Sequence, residues 1–441
     1  MASTYLSRAG GTPTSTRKFT ISFWVKKSNI GGDEFLVSTF SDSNNRMNVD
    51  FNSSNYITFI CKVSGSIVIR KRPSRLLRDT NAWYHIVIAV DTTQSTAADR
   101  CKFYINGEQE TSFSIDTNPS QNADLNVSGD HFIGAYDNDG SPANFFGGLL
   151  SHVHYTDGYT YAASTFGETD STTGEWKINT NPSVTYGTNG YFIMKDNGSV
   201  TDQSGQSNNF TLGAGTLTNA EDCPSNVFCT FNPLIRPVNI FYAKTNSRIE
   251  ISSGNSWQTG FGTLGMEKGS GKYYMEFKLI NGTKAAFGIA DYKAAGVIDR
   301  VQRNENRYIG EYANSYGYHY GGNFYYNGSS TSSGWDSFTT SNIIGMAVDM
   351  ENMKLYFHKD GTYQNSGNPS AGSGGYSIND PKNCYLPAVS IEACAACANW
   401  GNGTFDGTAI SSEGTNASGI GKFEYDVPTG YTALSTKGLN L

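Results

Sequence analysis

A run of aromatic residues at positions 312–335 forms the strongest candidate binding surface in the sequence. Sugar rings present apolar faces that stack on aromatic side chains, so this composition suits glycan capture or a protein interface. An alternative stays open, because Tyr316, Tyr318 and Tyr320 alternate and would form one face of a strand inside a β-sandwich. The candidate ligand-binding residues are Tyr316, Tyr318, Tyr320, Tyr326 and Trp335.

Four of the seven cysteines could hold zinc as thiolates, in the pairs Cys394 with Cys397 and Cys223 with Cys229. The spacing of the second pair does not fit a zinc knuckle, and the first pair lies in an apolar run that predicts a buried strand. An odd number of scattered cysteines does not resemble a disulfide framework. We therefore predict reduced thiols and no zinc site.

Two further groups contain the side chains of metal ligands. His152 and His154 would share one face of a strand, but their neighbours form an ordinary alternating strand. Asp137 and Asp139, in Asp-Asn-Asp-Gly, resemble the start of a calcium loop and equally suit a tight turn. We predict no metal and no cofactor, with calcium at Asp137 and Asp139 as the open alternative.

Basic residues cluster in one run, from Arg70 to Arg75 with Arg78 nearby. The run could contact phosphate or an acidic neighbouring subunit, or it could be a solvated loop between two strands. The formal net charge of −7 gives no general attraction to nucleic acid or to an anionic membrane. The sequence also contains no apolar run of a membrane-spanning length. We predict neither nucleic-acid binding nor membrane insertion.

The elements that must position these residues are strands. The 441-residue chain is 13% aromatic and only 16% charged, with 49 glycines, which is typical of strands joined by glycine-rich turns. Residues 19–26 alternate, residues 83–90 are almost continuously apolar, and residues 101–105 alternate again. The last of these ends at Asn106-Gly107, which predicts a type I′ hairpin turn.

The same order of elements recurs in the second half of the chain. An apolar strand at 343–349 ends in Asp349, as the earlier one ends in Asp91, and the next strand ends at Asp360-Gly361. Two related antiparallel sandwiches explain this repetition. We predict an all-β fold with domains at 1–166 and 241–441, joined by a packed connector at 167–240.

Several segments resemble two known domain families. Resemblance to a laminin G-like, concanavalin A-like lectin domain lies in FTISFWVKKS, AWYHIVIAVDTTQSTAADRCKFYINGEQ and FFGGLLSHVHYTDGYTYAASTFGE. Resemblance to a SPRY domain lies in GKYYMEFKL, AAFGIADY, NIIGMAVDMENMKLYFHKDGTY and YLPAVSI. This order, with a connector and the ending PTGYTALSTKGLN, is similar to virion-associated proteins of tailed bacteriophages, especially marine ones. The resemblance implies a concanavalin A-like jelly roll followed by a SPRY-like sandwich, both of which are binding scaffolds with many ligands.

The concanavalin A-like group also contains glucanases, whose motif Glu-x-Asp-x-x-Glu points three carboxylates into one cleft. The nearest approaches here, Glu168-Thr169-Asp170 and Asp349-Met350-Glu351, lack the third carboxylate. Nucleophile and phosphate-loop motifs are also missing from the sequence. We therefore predict that the protein is not an enzyme. A glycan-cleaving enzyme and an intracellular protein-interaction module are the alternatives.

The resemblance implies a non-enzymatic virion surface protein, in the form of a capsid or tail appendage, fibre or decoration. Its expected partners are host-surface glycans and other virion proteins, and it is expected to be a homo-oligomer. It would be made in the host cytoplasm and reside on the virion surface.

Overall fold

The computed structural model describes residues 3–125, 128–196, 199–235, 237, 239–251, 254–291 and 306–441. The chain is nearly all-β with several antiparallel sheets, which confirms the predicted fold class of two β-sandwiches. It divides into two compact units, Met1–Asn219 and Ala220–Leu441. Within the described ranges, no helix has the length and apolar character needed to cross a membrane.

The first unit consists of strands and two short 3-10 helices, Ala97–Arg100 and Ala163–Thr165. Its strands are β1 (Tyr5–Arg8), β2 (Lys18–Lys27), β3 (Glu34–Asp42), β4 (Asn45–Phe51), β5 (Ile57–Val63), β6 (Ser66–Pro73), β7 (Trp83–Asp91), β8 (Cys101–Ile105), β9 (Glu108–Gln109), β10 (Phe113–Thr117), β11 (Asp130–Ile133), β12 (Tyr136–Asn138), β13 (Ser141–Ala143), β14 (Gly148–Asp157), β15 (Gly167–Thr169), β16 (Trp176–Ile178), β17 (Tyr191–Ile193) and β18 (Thr211–Ala214).

Two sheets enclose the core of this unit. The larger has the strand order β10-β6-β5-β4-β3-β11-β1-β18, and the smaller has the order β17-β14-β2-β7-β8-β9. Alternation decides which side chains face the core: Phe19, Ile21, Phe23 and Val25 of β2 all lie in it. The period-two pattern of the sequence therefore predicted the inward face of this strand correctly.

The second unit likewise consists of strands and two short 3-10 helices, Gln364–Ser366 and Gly438–Asn440. Its strands are β19 (Ile240–Ala243), β20 (Arg248–Ile251), β21 (Gln258–Phe261), β22 (Lys272–Asn281), β23 (Lys284–Asp291), β24 (Ser315–His319), β25 (Asn323–Tyr326), β26 (Ser329–Ser333), β27 (Ile343–Asp349), β28 (Lys354–Lys359), β29 (Thr362–Tyr363), β30 (Tyr376–Ser377), β31 (Tyr385–Glu392), β32 (Ala395–Asn399), β33 (Thr404–Phe405), β34 (Thr408–Ala409) and β35 (Thr432–Ala433).

The second unit is also built on two sheets. One has the order β19-β20-β32-β22-β27-β28-β29, with β30 paired to β28 and β35 paired to β22. The other has the order β21-β31-β23-β24-β25-β26. Tyr273, Met275, Phe277 and Leu279, at alternate positions of β22, are fully buried in the core between them.

One antiparallel strand pair with an ion pair at its end occurs in both units. Lys18 at the start of β2 pairs with Asp91 at the end of β7, with Nζ and Oδ2 3.2 Å apart. Lys272 at the start of β22 pairs with Asp349 at the end of β27 in the same way, at 3.3 Å. Each aspartate also accepts the backbone N–H of the turn that follows it. The terminal aspartates of the two apolar strands are therefore turn caps and ion-pair partners.

The two predicted hairpin turns are formed as expected. Asn106 and Gly107 have φ values of 49° and 83°, and Asp360 and Gly361 have values of 48° and 83°. Strands β8 with β9 and β28 with β29 pair across them. Positive φ at both central residues is the conformation of a type I′ turn.

The segment 167–240, predicted to be a packed connector, is divided between the two compact units. Tyr191 of β17 and Phe210 complete the first core, whereas Phe228 and Phe231 lie in the second core. The division falls between Asn219 and Ala220. These aromatic side chains stabilise the two cores, because they bury apolar surface that a solvated linker would leave exposed to water.

Candidate functional site

Strand β24 turns two of the predicted ligand-binding tyrosines into the core. Tyr316 and Tyr318 are only 2% and 0% exposed. The Tyr318 hydroxyl donates to the backbone carbonyl of Asp336, and the Tyr316 hydroxyl accepts the backbone N–H of Asn379 at 2.9 Å. The strand-face alternative holds for these two residues. Their ring faces contact other core side chains and do not face a ligand.

The other three predicted residues lie at the margin of the same core. Tyr320, Tyr326 and Trp335 are half-buried and pack against it. The Tyr326 ring stacks on Tyr316 with centroids 4.5 Å apart, and Trp335 meets Tyr318 edge-on at 4.8 Å. The alternation of β24 and β25 therefore directs most of the predicted set inward.

The opposite face of these strands carries an aromatic cluster of Trp257, Tyr308, His319 and Tyr325, and Tyr320, just past the end of β24, extends the cluster from the margin of the core. All five side chains are partly exposed. The Tyr308 ring lies 4.8 Å from His319, 5.1 Å from Tyr325 and 4.9 Å from Trp257, centroid to centroid. Tyr320 adjoins His319 at 4.3 Å. The cluster is the candidate binding site of the second unit.

The predicted run 312–335 contains His319 and Tyr325, but they were not selected as ligand-binding residues, and Trp257 and Tyr308 were missed altogether. His319 and Tyr325 have the opposite parity to Tyr318 and Phe324 on their strands, so the alternation itself would have found them once the inward face was known. Trp257 and Tyr308 arrive from distant parts of the chain, and no local pattern marks them.

Small residues on the outer face of the sheet make room for the segment that carries Tyr308. Residues 306–312 lie over this face, where Ile309 and Tyr312 pack with Ala286. A Cβ atom on Gly317 would come within 2.3 Å of the Ile309 carbonyl oxygen. The Ile309 N–H also donates to Ser390 Oγ at 2.8 Å. The glycine is needed for this close approach, and the segment is held at both its backbone and its side chains.

Backbone hydrogen bonds fix the two aromatic residues that come from outside the sheet. The N–H of Trp257 donates to Asn306 Oδ1 at 2.7 Å. The N–H of Tyr308 donates to Glu311 Oε2 at 3.1 Å. Because both positions are held before any ligand binds, little ordering entropy is lost on binding.

The surface of the aromatic cluster carries little charge. Burial, with the nearby Lys284 ammonium group, lowers the pKa of His319 to about 4, so this side chain is neutral at pH 7. His319 Nδ1 accepts the N–H of Gly321 at 3.3 Å. Lys284 at the margin is paired with Glu392 at 2.7 Å. The arrangement presents apolar ring faces bordered by polar groups, so the apolar face of a ligand ring could stack on it.

The cysteine pair proposed for zinc is not assembled into a site. Cys394 packs in the main core of the second unit, and Cys397 packs in a different apolar cluster with Phe405. Burial raises the pKa of the two thiols to about 11 and about 12, which disfavours thiolates. In the part of the chain that the structure describes, no group of three histidine, cysteine or acidic side chains could hold a metal ion.

A β-bulge at His152 interrupts the alternation of strand β14 between Ser151 and His154. The register of β14 against β2 shifts between Ser151 and His154, and His152 has a φ of 49°. His152 Nδ1 lies 2.7 Å from Ser151 Oγ, and His154 Nδ1 lies 2.9 Å from the Tyr186 hydroxyl. Both rings are buried. They are interior side chains with local partners.

The Asp137 to Gly140 motif forms the turn of the hairpin β12–β13. Asp139 and Gly140 have φ values of 50° and 85°. Asp137 Oδ1 accepts the Gly140 N–H at 2.7 Å, so one of the oxygens proposed for calcium already closes the turn. The turn interpretation accounts for all three residues.

The basic run divides between a strand and a loop. On β6, Lys71 is buried and bonds Asp116, while Arg70 and Arg72 are half-buried on the other face. Arg75 follows the strand and pairs with Glu108 and Glu110 at 3.3 and 3.1 Å.

Comparison with known proteins identifies a domain family in each unit. Residues 2–158 match a laminin G family described as the concanavalin A-like lectin/glucanases superfamily, and residues 272–402 match the SPRY domain. No curated protein matches the chain in sequence.

Three solved structures illustrate the likeness. They are the SPRY domain of human HERC1 (16% identity, covering 38% of this chain and 96% of that chain, TM-score 0.27), an SAP-like pentraxin from Limulus polyphemus (15% identity, 42% and 90%, TM-score 0.30), and a candidate carbohydrate-binding protein from Bacteroides ovatus (16% identity, 49% and 57%, TM-score 0.33).

The two family matches fall in the two compact units, in the order that the sequence predicted. Both domain types fit a binding role. The chain is thus similar to a laminin G-like, concanavalin A-like domain over residues 2–158 and to a SPRY domain over residues 272–402.

Proposed function

We propose that the protein is a non-enzymatic surface protein of a tailed-bacteriophage particle that binds glycans of the host surface. As a capsid or tail appendage, fibre or decoration, it contacts other virion proteins and forms a homo-oligomer. It is made in the host cytoplasm and resides on the virion surface, with no role in nucleic-acid binding or membrane insertion. The resemblance to virion-associated proteins supports the location, and the aromatic cluster supports the binding.

The aromatic cluster is the observation that carries the binding proposal. Four aromatic side chains and His319 are brought together from three parts of the chain, and all stay partly exposed. Stacked aromatic contacts contribute on the order of 1 kcal/mol each beyond their buried area. A single site of this kind is weak, with Kd between about 1 mM and high micromolar. Many copies on one particle convert weak sites into firm attachment, which favours an oligomer.

The carboxylates nearest to a glucanase motif support a role without catalysis. Asp349 is fully buried, pairs with Lys272 and caps the turn after β27. Glu168 and Asp170 share Lys177 on the hairpin β15–β16. These groups already serve as structural partners.

The binding proposal is tested with polysaccharides extracted from the host surface. Purified protein is measured as a soluble monomer and clustered on beads, as wild type, Trp257→Ala and Tyr308→Ala. We expect clustering to raise the apparent affinity at least about tenfold and each substitution to weaken binding about fivefold to tenfold, because a stacked ring is lost.

A matched control is Tyr159→Ala, which removes a tyrosine that is 39% exposed and belongs to the first unit. It should bind as wild type does. The adhesion proposal is wrong if no host polysaccharide binds, or if the cluster variants bind normally while their melting temperatures are unchanged. Mass spectrometry of purified particles tests the virion location separately.

A further inference from the structure

Three arginines lie near one another on the outer face of the larger sheet in the first unit. Arg46 is on β4, and Arg70 and Arg72 are on β6 with β5 between them. The ladder aligns Arg70 with Ile60 of β5 and Ile60 with Asn48 of β4. Neighbouring strands are about 4.8 Å apart, so these side chains form rows across the sheet.

Aromatic and hydroxyl groups hold two of the guanidinium groups flat against the sheet. The Arg46 guanidinium lies 4.9 Å from the ring centroid of Tyr136. The Arg72 guanidinium lies 5.8 Å from the Tyr56 ring, and its Nε donates to Thr58 Oγ1 at 3.1 Å. Stacking on a ring uses the face of a guanidinium and leaves its N–H edges available. The arginines are therefore ordered without being neutralised.

The three arginines of this face form no close salt bridge among the described residues, although the Asp50 carboxyl is near enough to interact electrostatically with Arg70 and Arg72. Within the described ranges, Arg46, Arg70 and Arg72 form no salt bridge, whereas Arg75 and Arg248 each pair with two carboxylates. The Nε atoms of Arg46 and Arg70 are buried and lack a hydrogen-bond partner among the described residues. Because these two Nε atoms are buried, a ligand at the surface would bond the terminal N–H groups of the guanidiniums.

Neutral and acidic groups lie between the arginines. Asn48 Nδ2 donates to Asp50 Oδ1 at 2.5 Å. Burial raises the pKa of Asp50 to about 7, against the opposing effects of Asn48 and the arginines, so its carboxyl group can both donate and accept near neutral pH. The face thus combines cationic donors with a carboxyl group that suits hydroxyls, and the buried Asn48 amide orients that carboxyl group.

We propose that this surface, the arginine face (Arg46, Asp50, Arg70 and Arg72), binds an acidic polysaccharide. The guanidinium groups take its carboxylate or sulfate groups through paired N–H bonds, and Asp50, held by the buried Asn48, bonds its hydroxyls. A nucleic acid suits the face less well, because its dense, uniform charge would meet Asp50 and a chain of net charge −7.

This inference adds a ligand class and a second site to the proposed adhesion. It can fail alone, since substitutions on the arginine face leave the aromatic cluster of the second unit unchanged. The aromatic variants in turn leave the arginine face intact.

The test compares full-length protein on five immobilised polymers: polygalacturonate, dextran sulfate, neutral dextran, polyglutamate and double-stranded DNA. We expect wild type to bind polygalacturonate or dextran sulfate at least about tenfold more tightly than neutral dextran, with affinity falling as salt rises. The first two polymers distinguish carboxylate from sulfate recognition. The double variant with Arg70→Gln and Arg72→Gln should lose about tenfold or more, since each lost charged hydrogen bond weakens binding by about that factor.

The control is Arg75→Gln, which removes the same charge from an arginine that already has carboxylate partners, and it should bind as wild type does. Arg70→Gln alone provides a second variant if the double variant melts at a lower temperature. The proposal is overturned if the acidic and neutral polysaccharides bind alike or not at all, or if Arg75→Gln loses as much affinity. Equal or tighter binding of polyglutamate or DNA would also overturn it, by identifying a general polyanion surface.

Discussion

At the scale of single residues, Glu276 is a buried carboxylate whose two oxygens accept four hydrogen bonds. The donors are the Tyr274 hydroxyl at 3.1 Å, Asn399 Nδ2 at 3.1 Å, and the backbone N–H groups of Glu424 at 3.0 Å and Tyr425 at 2.8 Å. Burial raises the pKa of Glu276 to about 7 in spite of these bonds. This one side chain ties residues 424 and 425 to strand β22.

Replacement of Glu276 by alanine should destabilise the second unit by about 3 kcal/mol or more, because buried donors are left without an acceptor. Urea denaturation gives the free energy of unfolding. Glu276→Gln should be intermediate, since the amide keeps one acceptor oxygen and turns an N–H group towards the donors. Glu413→Ala, at an exposed position, serves as the control. Equal midpoints for Glu276→Ala and this control would contradict the structural role.

At the scale of elements, local sequence patterns identified the strands and turns. Long-range packing determined which side chains face the core and which meet in the aromatic cluster. The alternation at 19–26 and the Asn106-Gly107 and Asp360-Gly361 signals depend on neighbouring residues only, and all three were predicted correctly. The inward face of β24 depends on which side the other sheet covers, so Tyr316 and Tyr318 could not be assigned from alternation alone. The bulge at His152 and the arrival of Tyr308 beside His319 also left no local signal.

Both hairpin turns should be sensitive to a side chain at glycine. Gly107→Val and Gly361→Val each force a β-branched residue to positive φ, which should reduce stability by about 1 to 3 kcal/mol. The loss should be larger for Gly107, where a Cβ would lie 2.4 Å from the Trp176 ring, than for Gly361, where the nearest atom is 3.1 Å away. Thermal melts compare the two variants. The turn assignment fails if neither melting temperature changes.

The close packing of residues 306–312 on the sheet predicts a link between Gly317 and ligand binding. Gly317→Ala places a Cβ against the Ile309 carbonyl and should displace the segment that carries Tyr308. We expect weaker glycan binding, by about the same factor as for Tyr308→Ala. Gly269→Ala is the control, since no atom lies within 4 Å of its Cβ position and its positive φ tests backbone strain alone. Normal binding by a folded Gly317→Ala variant would separate this packing from the site.

At the scale of the whole molecule, the titration of the histidines governs stability towards acid. Burial lowers the pKa of every one of the six: to about 3 for His85 and His131, to about 4 for His152, His319 and His358, and well below the usual value for His154. Between about pH 4 and 6.5 the unfolded chain therefore binds more protons than the folded protein at these sites. Folding stability from the histidines is lost as the pH falls through this range.

Four carboxyl groups act in the opposite direction, because burial raises the pKa of Glu34, Asp50, Glu110 and Glu276. The pKa values of Asp50 and Glu276 are raised to about 7, so the folded protein binds more protons there than the unfolded chain between about pH 4.5 and 7. Their contribution falls as the pH rises through that window. Six histidines outnumber these four carboxyl groups, and the net effect is acid destabilisation.

We expect the melting temperature to fall steadily from pH 6.5 to pH 4.5. His131→Phe removes one buried titrating group that packs edge-on against Tyr155 and Tyr191. The variant should lose less stability over this range, by up to about 1.4 kcal/mol for each pH unit. Calorimetry at several pH values measures both slopes. A wild-type melting temperature that is constant or rises on acidification would show that the histidines are not buried in their neutral form.

In the segment 306–312, some side chains anchor the segment to the sheet and others are exposed at the surface. Ile309 and Tyr312 face the sheet and hold the segment, whereas Arg307, Tyr308 and Glu311 stay partly exposed. Substitutions at the second set alter what the surface recognises without entering the core. A library randomised at 307 and 308, with Glu311 kept to hold Tyr308, would keep the fold while the binding preference of the surface changes, so recognition could diverge without loss of stability.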